Sequence, residues 1–434
     1  ALVYLGDNWP DRYLNTFFTL NVHGHRVNND RLERAGSGYI GQHQPDLLKA
    51  NDAWFRGVAL HAGADGGVFM SDWSDAGECH DYEDIHRENG RIYKITHDRP
   101  RFAPTNLAAL PDAELVRLQL QKNDWLVSQA RRLLQERAAA GKLDAATRPA
   151  LVRLLREQTD ATRQLRALWA LHVSGGLDEP LVSELLAHAQ EWVRAWAIQL
   201  ALEAKPASPT LRTKLAELAA NDPSPVVRLY LASGLQRLPL AERLPIAGAL
   251  AARTEDETDA NVPLLIWFGI EPIISKDNAG VAFLLAKSKL SLVRQFIARR
   301  LALRSEFNLV LREVARSSNS WLYRDVVRGM FEALNGRRLV GVPTAWTSVR
   351  KKLTGHSQAE IAEKALQLSL IFGEAEAASE LSHRVMNKDV IPEARQAAFS
   401  YAYAFADKTF AIGVTGKIIQ GAVYTNTTGL QGGQ

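Results

Sequence analysis

The sequence predicts a mixed, mainly α fold: a partial β-propeller of about two blades, then an α-helical solenoid of the HEAT or armadillo kind. Three observations carry this. Residues up to about Pro100 hold short apolar runs separated by Gly, Asn and Asp clusters, the pattern of strands and tight turns. After Pro104 the composition shifts to Leu, Ala, Arg and Glu with helical periodicity, as far as about residue 410. Within that stretch a polar or Pro-containing turn followed by an apolar helix recurs at irregular steps of roughly 30–40 residues, the period of stacked helix pairs.

In chain order, Leu2 to Leu5, Thr16 to Val22, Gly57 to His61, Gly67 to Ser71 and Arg91 to Thr96 read as strands. Turn clusters separate them: Gly6-Asp7-Asn8, Asn28-Asn29-Asp30, Gly36-Ser37-Gly38 and Asp65-Gly66-Gly67. The run Asp65-Gly-Gly-Val-Phe-Met-Ser-Asp72, a polar loop, and the restart Gly90-Arg-Ile-Tyr-Lys-Ile95 have the build of a propeller blade. A blade takes roughly 40–50 residues and closure about 4–8 blades, so residues 1–100 supply about two.

The helical motif begins at Asn123-Asp-Trp125, Glu191-Trp-Val-Arg194, Ser224-Pro-Val-Val-Arg228, Ser291-Leu-Val-Arg294 and Trp321-Leu-Tyr-Arg324. One helix pair cannot bury both apolar faces, so neighbours must stack; about eight repeats fit between residues 107 and 408. Arg194, Arg228, Arg294 and Arg324 fall at equivalent positions and read as a ladder bonding a neighbouring repeat's acids or carbonyls. Trp125, Trp169, Trp192, Trp196 and Trp267 are helix-periodic and read as solenoid core. Three domains follow: 1–102, propeller blades; 103–410, solenoid; 411–434, a tail with at most one strand and partial disorder.

Bulk properties narrow the function classes. A net charge of +4, with the arginines spread through helices, does not suggest nucleic acid. No apolar run reaches the ~18 residues of a membrane span. The single cysteine, Cys79, excludes an internal disulfide, a Cys-rich zinc site and a C-x-x-C-H haem attachment within this sequence. The sequence opens on Ala1 without a signal peptide, which reads as a processed or partial form.

A set of motifs occurs in order: Asn21-Val-His-Gly-His-Arg-Val-Asn28, Leu32, Gly36-Ser-Gly-Tyr39, Asp52-Ala-Trp-Phe-Arg-Gly57, Gly63-Ala-Asp-Gly66, Ser71-Asp-Trp73, Gly77-Glu-Cys-His-Asp81 and Gly90-Arg-Ile-Tyr93. This set resembles the propeller end of the membrane-bound dehydrogenase proteins abundant in planctomycetes and verrucomicrobia. Their propeller is similar to that of quinoprotein glucose/sorbosone dehydrogenases. The resemblance implies a periplasmic or cell-envelope oxidoreductase acting on sugars or alcohols with PQQ and calcium. In such an enzyme a His base takes the hydroxyl proton as hydride moves to the quinone, and calcium polarises the quinone oxygen. It also implies HEAT-like repeats after the propeller and haem c in a further downstream domain. With two blades and no haem motif, this reading makes the chain a fragment that is inactive alone, its catalytic base unknown.

The resemblance singles out His23, His25, Arg26 and Arg56 for cofactor binding, since a guanidinium fork suits quinone carboxylates. Two departures weaken the match: Gly57 stands where the family has Pro, and the Trp-Asn pair that accompanies His-Gly is missing. The polar loop after Asp72 is the densest carboxylate cluster. Asp72, Asp75, Glu78, His80 and Asp81 are its metal candidates, oxygen-rich as calcium prefers. The bland alternative has these carboxylates capping turns and pairing with Arg87 and Arg91. A rival from another class is a HEAT-repeat protein-binding scaffold with a non-catalytic, carbohydrate-binding propeller remnant. An aromatic or charged patch along the solenoid face would favour it.

Overall fold

The computed structural model describes residues 1–73, 88–100, 106–203, 206–337 and 340–386. The chain is mixed α/β and 57% helical, with small antiparallel sheets at the N-terminus and seventeen α-helices among the described residues. It divides into two compact units, Ala1–Ala333 and Leu334–Gln434. The strand region and the helices that follow it therefore share one unit. The expected tail, residues 411–434, lies outside the described residues.

Strands β1 (Leu2–Val3), β2 (Thr16–Asn21), β3 (Arg26–Ala35) and β4 (Gly38–Lys49) form one antiparallel sheet in that order. Strands β5 (Gly57–Ala62), β6 (Val68–Asp72) and β7 (Arg91–Ile95) form the second. Period-2 burial selects the core. Val68, Met70 and Asp72 of β6 point inward while Phe69 is exposed. With Tyr4, Trp9, Phe18, Val27, Phe55 and Leu60, Val68 and Met70 build one apolar cluster.

Tyr4 pins this cluster. Its hydroxyl donates to the Gly66 carbonyl (2.8 Å) and accepts from the backbone N–H groups of Trp9 (2.7 Å) and Asn8 (3.0 Å). Its ring stacks on Trp9 at 4.5 Å, and the Trp9 indole N–H reaches the Ile95 carbonyl of β7 (3.1 Å). Burial raises the Tyr4 pKa above the usual phenol value. Among the described residues the two sheets do not close into a barrel or a propeller.

The five predicted strands are all present in some part, but two long ones escaped the sequence reading. Asn28-Asn29-Asp30 is not a turn. It lies inside β3, paired with Thr19, Phe18 and Phe17 of β2. Two of the three polar side chains find partners across the hairpin, while Asn29 Oδ1 is buried without one: Asn28 donates to Asp46 Oδ1 (3.3 Å) and His43 lies 3.3 Å from Asp30. Gly36-Ser37-Gly38 is the turn between β3 and β4, with Gly36 at φ +56. Pro45 is accommodated because β4 is an edge strand, and the β3–β4 register shifts between Val27 and Asn29.

The helices of the first unit alternate between two layers. The first holds α1 (Asp112–Arg117), α3 (Thr147–Glu157), α5 (Glu179–Leu185), α7 (Pro209–Asn221), α9 (Leu240–Ala251), α11 (Asn278–Lys287) and α13 (Phe307–Arg316). The second holds α2 (Asp124–Ala139), α4 (Ala161–Val173), α6 (Glu191–Ala201), α8 (Pro225–Gly234), α10 (Val262–Ile274), α12 (Ser291–Leu303) and α14 (Ser320–Leu334). From α2 to α12, each second-layer helix packs on the next one in its layer. Starts are marked by capping side chains: Asn123, Asp160, Asp178, Ser208, Ser224 and Asp277 each accept a first-turn N–H. No helix among the described residues is long and apolar enough to cross a membrane.

The arginine ladder is present for three of its four members. Arg194 bonds the His188 carbonyl and Asp222, Arg228 the Asp222 carbonyl and Asp256, and Arg294 the Ser288 carbonyl and Asp325. Arg324 departs from the pattern. It turns back to Ser291 Oγ (2.7 Å) and shares Asp325 with Arg294.

In the second unit, α15 (Trp346–Thr354) packs on α16 (Ala359–Ile371), with Trp346 fully buried, and α16 packs on α17 (Ala375–Met386) through Leu366, Leu370, Ala377 and Leu381. The Trp346 ring meets Phe372 edge-on at 5.1 Å, and its indole N–H reaches Ser369 and Glu374.

Candidate functional site

The two sheets bring His25 and Arg56 together. His25 sits in the turn after β2 at φ +48, an unusual conformation for a residue with a Cβ. Arg56 precedes β5. Its Nη1 lies 2.6 Å from His25 Nδ1, 2.8 Å from the Ala53 carbonyl and 3.1 Å from the Phe55 carbonyl. The same Nδ1 lies 3.0 Å from the Phe55 carbonyl, so it faces a donor and an acceptor at once. Arg26 is engaged separately, with Nε on the Gly24 carbonyl (3.2 Å) and Nη1 on Asp46 (3.2 Å). His23 lies in the same turn, between β2 and Gly24. A quinone's carboxylates would need guanidinium N–H groups aimed at a ligand. In Arg26 and Arg56 the N–H groups just described face protein acceptors instead: Arg26 braces the turn against β4, and Arg56 ties it to the segment before β5.

Of the metal candidates, Asp75, Glu78, His80 and Asp81 lie outside the described residues. Asp72 is buried. Its Oδ1 accepts the Arg56 backbone N–H (2.6 Å) and its Oδ2 takes the Arg91 guanidinium (2.7 Å to Nε). Both oxygens thus serve the capping and pairing role that the bland reading gave them. Arg91 also holds Asp52 (2.6 Å). The Trp54 N–H and Arg91 keep the Asp52 carboxyl below the usual carboxylate range. Among the described residues no group of three or more His, Cys, Asp or Glu side chains could hold a metal ion. Beside Arg91, an open cleft of about 270 Å³ is lined by Trp54, Trp73 and Asn89, with Trp73 well exposed.

The β3–β4 hairpin crosses to the helices. At its tip the Ser37 N–H and hydroxyl donate to the two oxygens of Asp259 (2.7 Å each), and Asn261 donates to the Ser37 hydroxyl (3.2 Å). Asp259 also accepts the Val262 N–H that opens α10. A Cβ at Gly36 would run into the Asp259 carboxylate. Further back, Arg34 reaches both oxygens of Glu191 and lies over the Trp192 ring at 5.4 Å. Glu191 in turn accepts from the Ser224 hydroxyl.

The second layer also carries an aromatic row, which places the tryptophans read as core at the margin of the stack. Trp125, Trp169, Trp192, Trp196 and Trp267 are all only partly buried. Trp196, Tyr230 and Phe296 stand two residues after the ladder arginines Arg194, Arg228 and Arg294. On a helix that offset is about 200°, so arginines facing the repeat junction turn these rings the other way. Trp169 meets Trp196 at 4.9 Å, Trp196 meets Tyr230 at 6.0 Å, and Trp267 meets Phe296 at 5.4 Å. Arg131 lies over Trp169 at 5.4 Å. The repeated Arg-x-aromatic spacing was the sequence signal that could have revealed this row.

Comparison with known proteins adds little chemistry. A family profile described only as a domain of unknown function, DUF7133, matches residues 1–99. None of the curated proteins matches the chain. Among solved structures, the crystal structure of an engineered protein from the Northeast Structural Genomics Consortium is similar at 17% identity and a TM-score of 0.30. That match covers 68% of this chain and 92% of the other.

Proposed function

We propose that the chain is an interaction scaffold: a HEAT- or armadillo-like helical stack that offers one face to a protein partner. A strand module similar to a propeller end is fastened to it. The aromatic and cationic row on the second-layer helices carries this reading, because a helical stack with no partner has little reason to leave Trp169, Trp196, Tyr230, Trp267 and Phe296 half-buried. The engagement of Arg26, Arg56 and Asp72 by protein groups supports it, since these side chains hold the strand module together.

A second reading keeps the quinoprotein-like dehydrogenase of sugars or alcohols, with PQQ and calcium, in the cell envelope. It is favoured by the meeting of His25 and Arg56 from different sheets and by the motif resemblance. The Trp54–Trp73 cleft suits a carbohydrate ring in either reading, since aromatic faces pack on its C–H groups.

One assay can overturn the scaffold reading; a chain with two blades is expected to be inactive alone in the dehydrogenase reading too, so turnover is the decisive outcome. The full chain is supplied with PQQ, calcium, a dye electron acceptor and a panel of aldoses and alcohols. The scaffold reading expects no dye reduction above the quinone alone. Turnover that disappears in Arg56→Met would overturn it in favour of the dehydrogenase.

A further inference from the structure

The row ends in a cleft of about 200 Å³ between α10 and α12. Trp267 and Phe296 are among its lining residues, packed edge to face, and Leu303 stands exposed beside them. Arg299 and Arg300 line it as well, and Glu271 is its only carboxylate among the described residues, 3.7 Å from Arg300. Arg300 Nε is buried and has no hydrogen-bond partner. Arg299 is exposed and forms no ion pair among the described residues.

The far end of the row has the same make-up. Arg131 lies over Trp169, and both Arg131 Nη1 and Trp169 Nε1 are buried without an acceptor. Burial, with Arg166 nearby, holds the Arg131 pKa below its usual value. Buried donors left without acceptors are costly, and native proteins rarely keep them without a reason. Of these three residues, Arg131 lies over the Trp169 ring and Arg300 lines the cleft that Trp267 and Phe296 share.

We infer that the cleft between α10 and α12 anchors an acidic segment of a partner protein, one that places an aromatic or leucine side chain next to a glutamate or aspartate. The apolar side chain packs on Trp267, Phe296 and Leu303. The carboxylate takes the guanidinium groups of Arg299 and Arg300, whose paired donors match its two oxygens. The charge balance of the cleft, two arginines to one glutamate, favours an acidic occupant over a basic one. This rests on the scaffold reading, yet the two can fail separately: the turnover assay tests the scaffold, and peptide binding tests the anchor.

The test uses the full chain and a fluorescein-labelled peptide of alternating glutamate and phenylalanine, followed by fluorescence anisotropy. Saturable binding is expected. The counterpart with glutamine for glutamate should bind about tenfold more weakly or worse, and Arg299→Gln should weaken the glutamate peptide several-fold. Arg156→Gln, on a first-layer helix, should leave the affinity unchanged. The inference is overturned if the glutamate peptide shows no saturable binding, or if the glutamine peptide binds equally. Unchanged affinity in Arg299→Gln, or displacement of the peptide by an equal concentration of inorganic phosphate, overturns it as well.

Discussion

The strand module and the helical stack secure themselves in opposite ways. In the helices one device repeats. An arginine bonds the carbonyl six residues back and a carboxylate 28–31 residues ahead, as at Arg194, Arg228 and Arg294. In the strand module every tie is used once: the Tyr4 hydroxyl, the Arg91 bridge between Asp52 and Asp72, and the Ser37–Asp259 contact at the hairpin tip. A repeated tie lets a stack grow by near-neighbour contacts alone. A set of single ties fixes one geometry, and each can fail alone.

The largest expected effect lies in the ladder. Arg228 and Asp256 are almost completely buried. Asp256→Ala leaves the guanidinium buried and unpaired and should destabilise the chain by about 3–5 kcal/mol in urea unfolding followed by circular dichroism. Replacing both partners, Arg228→Met with Asp256→Leu, should restore most of that loss. If the double variant is as unstable as the single one, the ladder acts through something other than charge pairing.

Tyr4→Phe comes next. It removes one donated and two accepted hydrogen bonds from the core of the strand module and should destabilise it by about 1–3 kcal/mol. Hydrogen exchange should localise the loss to residues 1–100. A loss spread evenly through the helices would mean that the two regions unfold as one.

Ser37→Ala, at the hairpin tip, is expected to lose about 1 kcal/mol. This tie should also depend on pH. Burial works against the charged form of Asp259, but the Val262 N–H, the Ser37 hydroxyl and the Asn261 and Ser37 N–H groups hold its pKa below the usual 3.8. The folded value is the lower one, so the contribution is complete above the unfolded pKa and is lost as pH falls through the folded pKa. The stability gap between the native chain and Asp259→Asn should therefore close below about pH 4. A gap that stays constant through that range would show that the Asp259 charge is not what holds the tip.

The smallest effect belongs to exposed pairs such as Arg132–Glu136 on α2. Breaking it should change stability by about 0.3–0.5 kcal/mol, ten times less than the ladder.

How much was legible follows from where each signal resides. The strands with apolar alternation and the helix starts were readable, because propensity and capping act locally. β3 and β4 were not. Their inner segments, Asn28-Asn29-Asp30 and Gln42-His43-Gln44, are polar, and what holds them is a ladder to each other plus a dock at Asp259, 222 residues from Ser37. His25 and Arg56 stood out as candidates in the sequence, but their direct contact depends on how two sheets pack. The aromatic residues showed helical period without showing their face, since only the arginine ladder decides which side of each second-layer helix meets its neighbour.

The β3–β4 hairpin fastens the strand module to the helices at Asp259. Region-resolved hydrogen–deuterium exchange on the full chain and on Asp259→Ala tests it most directly. The account predicts lost protection across residues 26–49, with α12 unchanged. Equal exchange in that hairpin with and without Asp259 would contradict it.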